Sequence, residues 1–180
     1  SAEKGTIFHL AMQLLDFSKF GTEDISKIRE EIKLQTNSFV EKNIMSLDEI
    51  ETININWIVK FIQSDIFKEI YIANKSEKLF KEKAIDYNIK LKNLFKDENI
   101  SEDEKIMVVG IIDLFFENEN GEIILLDYKT DYVTKENLEE VKARYKVQLD
   151  LYKSAIEDIS GKKVAKKGLY LFGINEFVEI

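Results

Sequence analysis

Three residues carry the chemistry that can be read from this chain: Asp113, Asp127 and Lys129. They lie in Val108 to Thr130, VVGIIDLFFENENGEIILLDYKT, which reads as an apolar strand, a tight turn and a second apolar strand. Asp113 interrupts the first apolar run, Asp127 closes the second, and Lys129 follows two positions later. A carboxylate inside an apolar strand needs something to offset its desolvation, and a bound cation does this well. Two or three carboxylates supply the oxygen ligands that Mg²⁺ prefers and leave positions for water and a substrate phosphate. A nearby lysine then holds the attacking oxygen or offsets transition-state charge. In the plainer reading Asp113 begins a turn, Asp127 ends a strand at the surface and Lys129 pairs with one of them. Spacing alone gives these two readings about equal weight.

The turn between the strands sets their register. Asn118-Glu119-Asn120-Gly121 supplies the positive-φ positions a hairpin needs. A three-residue loop centred on Asn120 puts Asp113 directly across from Asp127. Because side chains alternate with period two, Asp113, Asp127 and Lys129 then share a face.

The remaining elements must position this hairpin. Ser1 to Lys4 reads as a frayed end, and Thr6 as the N-cap of a mostly buried helix running from Ile7 to Phe17. The narrow polar stripe of that helix is His9, Gln13 and Asp16, and His9 is the single histidine of the chain. Glu23–Gln35 and Ser46–Ile62 read as helices, the second opened by a capping box, Ser46 with Glu49. A short helix restarts at Ser64-Asp65 and runs to Tyr71. Nothing in residues 22–73 has the look of chemistry; they read as helical packing or a docking surface. Lys75 to Leu91 reads as one strand or two with a bend, and Asp97 to Lys105 as an acidic loop. After the hairpin Thr134 caps a helix from Lys135 to about Ile159. Its inner face is Leu138, Val141, Tyr145, Leu149, Tyr152 and Ile156, and Gly161 ends it. Gln148 shares a side with Tyr152 at i and i+4. Gly168 to Phe172 is a last buried strand. Strand, strand, helix, strand points to an α/β fold, one domain spanning 1–180, with a catalytic core over 76–180.

Composition narrows the class. At 180 residues, 44% hydrophobic and 33% charged, the chain is globular rather than disordered. It has no apolar run long enough to span a bilayer and no signal sequence, so the cytoplasm is the expected compartment. With no cysteine, disulfides, thiolate zinc sites and iron–sulfur clusters are excluded. No phosphate-binding GxxxxGK[ST] loop occurs, so no ATP site lies in this chain, and HExxH and GxSxG are also missing. The net charge of −8 argues against a stand-alone nucleic-acid binder. Lys135 to Lys167 nevertheless carries nine basic and six acidic residues, and its lysines 162, 163, 166 and 167 form either a solvated turn or a phosphate-tracking patch.

Asp113 followed by Asp127-Tyr128-Lys129 resembles the PD-(D/E)XK signature of restriction-endonuclease-like nucleases. The likeness goes further. Gly5-Thr6-Ile7-Phe8-His9, Gly110-Ile111-Ile112-Asp113-Leu114, Leu126 to Asp131, Tyr145…Gln148 to Tyr152 and Leu169 to Phe172 occur in the order seen in RecB-type nuclease domains. Most of all they resemble the C-terminal nuclease domains of AddA-type helicase–nuclease subunits. The resemblance implies a mixed central sheet of restriction-endonuclease type flanked by helices. It implies His9, Asp113, Asp127 and the Tyr128 carbonyl as ligands of Mg²⁺, with Mn²⁺ a substitute, and Lys129 orienting the attacking water. Gln148 and Tyr152 would face the DNA backbone and the site. Glu82 stands where such domains carry a further acid, although the proline that follows it there is missing. The implied activity is hydrolysis of single-stranded DNA during helicase-coupled processing of double-strand breaks for recombination. The implied partners are a helicase portion of the same full-length chain and a second nuclease subunit. A silent docking or DNA-guiding module, and a small-molecule metal phosphoesterase, are the two other readings the same residues allow.

Overall fold

The expected hairpin organises the observed sheet. In the computed structural model, which describes residues 2–180, β2 (Lys105–Glu117) pairs antiparallel with β3 (Ile123–Lys129). The register couples Leu114 with Leu126 and Glu117 with Ile123, which sets Asp113 opposite Asp127. The pairing continues to the Asn118 amide, which donates to the Glu122 carbonyl at 2.8 Å, so the loop is residues 119–121 around Asn120. Gly121 takes the left-handed position, φ +76°. Loop length and register are as the turn sequence dictates.

β1 (Leu79–Lys90) runs antiparallel to β2 on the outer side. β4 (Val164–Leu171) lies parallel to β3, and β5 (Glu176–Glu179) closes the far edge, giving a mixed sheet in the order β1-β2-β3-β4-β5. A parallel pair needs a crossover, here the last helix of the chain, α7 (Leu138–Ser160). It ends at Gly161, φ +69°, the left-handed residue that terminates many helices. The four residues of β5 carry too little apolar signal to show in the sequence, and the strand is held by pairing with β4.

Helices cover both faces. On one side lie α1 (Ala2–Leu14), α2 (Ile25–Glu41), α3 (Leu47–Glu51), α4 (Ile55–Ile62) and α5 (Asp65–Lys75). They share a core with Leu114, Phe116, Leu126, Tyr128 and Phe172 of the sheet side. On the other side α7, with the short α6 (Leu91–Leu94), covers Ile112, Leu125 and Leu169. Among the described residues no helix is long and apolar enough to cross a membrane.

Several expected boundaries move. Helix α1 begins at Ala2, so Thr6 lies inside it rather than capping it, and Ser1 is outside the described residues. It stops at Leu14, because Asp16 caps a separate 3-10 turn over Phe17–Lys19. The expected Ser46–Ile62 helix is two, broken where Asn54 turns its side chain onto the Asn56 amide to start α4. The Ser46/Glu49 capping box is present. Helix α2 runs on to Glu41, α5 to Lys75, and β4 starts earlier, at Val164. Thr134 does not cap α7: its amide donates to the Asn137 side chain, and Asn137 is the capping position.

Phe61 of α4 ties the helical layer to the sheet. Its ring centroid is 4.8 Å from Tyr170, 5.7 Å from Tyr128 and 5.4 Å from Phe67, largely edge to face. Truncating so enclosed a ring loses transfer free energy and leaves a cavity. Phe61→Ala is expected to destabilise by about 3–5 kcal/mol, read from the urea midpoint.

The β1–β2 ribbon turns over midway. Side chains two apart share a face of a regular strand, yet Leu79 and Lys81 face the α1–α5 core while Ile85 and Ile89 enter the α7 core. On β2 the same change separates Leu114 and Phe116 from Ile112 and Val108. The break falls at Glu82, which has φ +51°, a left-handed conformation unusual outside glycine. The carboxylates sit at this turnover.

Candidate active site

Flanking pairs Lys81 with Leu114 and Lys83 with Ile112 put Glu82 opposite Asp113, as Asp113 is opposite Asp127. Three acids thus stand in a row across β1, β2 and β3. Local spacing favours the second and third; Glu82, the weakest assignment from its motif, falls into line by register. An open cleft of about 730 Å³ lies beside the row, lined among others by His9, Glu82, Ile111, Asp113, Lys129 and Tyr145.

Helix α1 delivers His9 from the other side. Its Nε2 is 2.9 Å from the Tyr128 carbonyl oxygen and 3.4 Å from Asp113 Oδ2, and its Nδ1 is 2.9 Å from the Gly5 carbonyl. Asp113 Oδ2 also accepts the Tyr128 amide at 2.7 Å. Burial opposes charge on the imidazole, but the Asp113 carboxylate and the two carbonyls outweigh it and lift His9 from 6.5 to about 9. As an imidazolium it donates from both nitrogens, a positive charge at the meeting point of Asp113 and the Tyr128 carbonyl.

Asp127 and Lys129 form the second pair, Oδ2 to Nζ 2.6 Å, with both side chains largely buried. Burial and then the neighbouring Asp113 charge push Asp127 up from 3.8 to about 6, against the pull of Lys129. Burial likewise raises Glu82, with Asp113 adding to it. Lys129 is raised: burial works against its charge, and Asp127 more than compensates. Two acids displaced upward beside a lysine and a histidine are what crowded like charges produce, and such crowding marks functional sites.

The residues fit a divalent cation. Two ligands at right angles around a cation about 2.1 Å away stand about 3 Å apart. His9 Nε2 stands 2.9 Å from the Tyr128 carbonyl and 3.4 Å from Asp113 Oδ2, close to that spacing, with Asp127 next along the row. The donor set is oxygen-rich with one imidazole, suited to Mg²⁺ or Mn²⁺. Among the described residues no three acid or histidine side chains stand as a closed ligand cluster. Each is instead engaged with a neighbour: His9 with Tyr128 and Asp113, Asp127 with Lys129.

Other expected residues make contacts of their own. Tyr152 is buried in the α7 core, its hydroxyl accepting from Gln148 Nε2 at 3.2 Å. That hydroxyl occupies the place a Cβ on Gly110 would fill, so glycine at 110 is what lets α7 lie against β2. Lys162 pairs with Glu117, and Lys167 with Asp150 at 2.9 Å, so half of the lysine run is tied down in ion pairs. Sequence reasoning missed Asp131 and Tyr145 as neighbours of Lys129. The ring of Tyr145 lies under Lys129 Nζ at 4.1 Å and its hydroxyl donates to Asp131. The inner-face position of Tyr145 on its helix was the available signal.

The sequence of residues 1–178 matches the PD-(D/E)XK nuclease superfamily. The chain belongs to that superfamily. An ATP-dependent helicase/nuclease subunit of the A type, from Clostridium acetobutylicum, is 40% identical over 99% of the chain. The corresponding protein of Clostridium botulinum strain 657 is 38% identical over 99%, and that of Clostridioides difficile 37% over 98%. The chain spans only 13–14% of the length of these relatives. The mixed sheet with helices on both faces is the PD-(D/E)XK nuclease architecture the sequence led us to expect.

The Tyr128 side chain packs in the helical core, and its hydroxyl is buried without a hydrogen-bond partner among the described residues. Its backbone carbonyl meets His9 Nε2 at 2.9 Å, and its ring stands edge-on to the imidazole, centroids 6.1 Å apart. An unsatisfied buried hydroxyl is destabilising, so Tyr128→Phe is expected to raise stability by about 1 kcal/mol, measurable as a higher melting temperature.

Proposed function

We propose that this chain hydrolyses phosphodiester bonds of single-stranded DNA with Mg²⁺, or Mn²⁺ in its place, as the nuclease part of a helicase–nuclease. The observation that carries the reading is one cleft lined by Glu82, Asp113, His9 and Lys129, with Asp127 next in the strand row and the Tyr128 carbonyl on His9 behind it. His9, Asp113, Asp127 and the Tyr128 carbonyl would hold the cation. When bound, the cation supplies an acidified water and neutralises charge on the phosphate. Lys129 orients the attacking water by donating from Nζ, and Glu82 faces the same space as an acceptor for a water proton. Asp113 keeps the Tyr128 backbone in place by accepting its amide. Tyr152, with Gln148 on its hydroxyl, buttresses β2 beside the site.

The similarity to helicase/nuclease subunits supports a helicase portion elsewhere in the full chain. In this reading the full protein works beside a second nuclease subunit on double-strand breaks during recombinational repair in the cytoplasm. With a net charge of −8 the chain itself holds DNA weakly, and the motor presents the strand. The open cleft suits a polymer better than a small enclosed ester.

The test offers three substrates to the full natural chain with its partner subunit: end-labelled single-stranded DNA, the same sequence as a duplex without ATP, and a small aryl phosphodiester. Single-strand cutting with Mg²⁺, lost with chelator, is the expected result. Preference for the small ester would replace the proposal with a phosphoesterase. Silence on all three would replace it with a docking module.

A further inference from the structure

Lys129 has to hold a flexible four-carbon side chain in one place, and its carboxylate partner is itself wanted by the cation. A lysine fixed only by Asp127 would lose its hold whenever that carboxylate turned to another charge. The structure supplies a second holder that takes no oxygen from Asp127. The ring of Tyr145, from α7, presents its face to Nζ at 4.1 Å, and a ring face attracts an ammonium through its quadrupole. The ring is itself anchored: its hydroxyl donates to Asp131 Oδ1 at 3.1 Å and lies 3.3 Å from Oδ2. Arg144 reaches the same carboxylate at 3.5 Å. Asp131 stands two residues beyond Lys129, so one short segment carries both the lysine and the anchor of the ring beneath it.

We propose that Tyr145 is a positioning residue that holds the Lys129 ammonium over the cleft by its ring face, with Asp131 fixing the ring. The proposal rests on the role given to Lys129 above. Tyr145 touches neither water nor phosphate in this scheme; it acts through the lysine. A purely packing role would need only bulk at position 145, whereas the ring-face role needs an aromatic ring and little else. Leucine and phenylalanine at this position separate the two.

The test compares Tyr145→Phe, Tyr145→Leu and Asp131→Asn, each checked for folding by its melting curve. In the chain labelled at lysine Cε, the Lys129 methylene protons, assigned with Lys129→Met, lie upfield of other lysines through the ring current. Tyr145→Phe keeps that shift and Tyr145→Leu abolishes it. In the full natural chain, Tyr145→Leu lowers kcat on single-stranded DNA about 10- to 100-fold with KM within about twofold. Tyr145→Phe and Asp131→Asn, which weaken the anchor but keep the ring, both cut within about threefold of the parent. A Lys129 resonance unmoved in Tyr145→Leu overturns the contact. A resonance that moves while kcat does not overturns the positioning role. An inactive parent whose Lys129 resonance behaves as described overturns the nuclease reading instead, leaving the contact itself established.

Discussion

Asp127→Asn is expected to lower DNA cutting by at least about a thousandfold and, in the same preparation, to make the metal-free protein more stable. The first effect follows from the ligand role proposed for Asp127, since a cation contributes several kcal/mol to the transition state and each 1.36 kcal/mol is tenfold. The second follows from the crowding at the row. Asp127 is buried and next to Asp113, which raises it to about 6. The native state therefore binds its proton more tightly than the unfolded chain does. The Asp127 contribution to stability is complete below about pH 3.8 and is lost as pH rises through about 6. Asparagine has no such loss. In chelator the variant should match the parent near pH 4 and exceed it by about 1–3 kcal/mol at pH 7.5. Mg²⁺ should then raise the melting temperature of the parent alone. Equal stability of the two proteins at pH 7.5 would show that Lys129 fully offsets the buried charge.

Lys129→Met is expected to cost about 10²- to 10³-fold in kcat, the range for losing one donor aimed at the reacting oxygen, the role proposed for Nζ. It should leave the Mg²⁺-induced rise in melting temperature in place, because Nζ binds no cation. The two variants thus fail differently: one loses metal binding and cutting together, the other loses cutting alone. The lysine also neutralises Asp127, 2.6 Å away, so the metal-free Lys129→Met protein should be the less stable of the pair. If Lys129→Met cut at near-parental rates, the lysine would be a structural counter-ion only.

The hairpin was legible because each of its features is local. Asn120-Gly121 fixes the loop, the loop fixes the register, and the register aligns Asp113 with Asp127. The Ser46/Glu49 box and Gly161 were legible for the same reason: their sequence patterns are the interactions themselves. Glu82 joins the row only because β1 pairs with β2 in one register and turns over at a left-handed residue, and no short motif announces either. His9 comes from α1, more than a hundred residues from Tyr128 along the chain, so its place at the site is tertiary. The break at Asn54 was hidden by apolar spacing that reads through two helices as though they were one. β5 was hidden because a four-residue edge strand with acids at both ends has little pattern of its own. The Lys129–Tyr145–Asp131 arrangement depends on how α7 crosses the sheet, which helical periodicity alone does not give.

The most direct measurement is a crystal of this chain soaked with Mn²⁺ and measured at the manganese absorption edge. One anomalous peak is expected about 2.1–2.3 Å from an Asp113 carboxylate oxygen and the Tyr128 carbonyl, with His9 Nε2 and Asp127 also in reach. The same soak of Asp113→Asn should show no peak there. A peak elsewhere in the molecule, or none between these groups in a protein that still cuts DNA with Mn²⁺, would contradict a metal centre at the head of the hairpin.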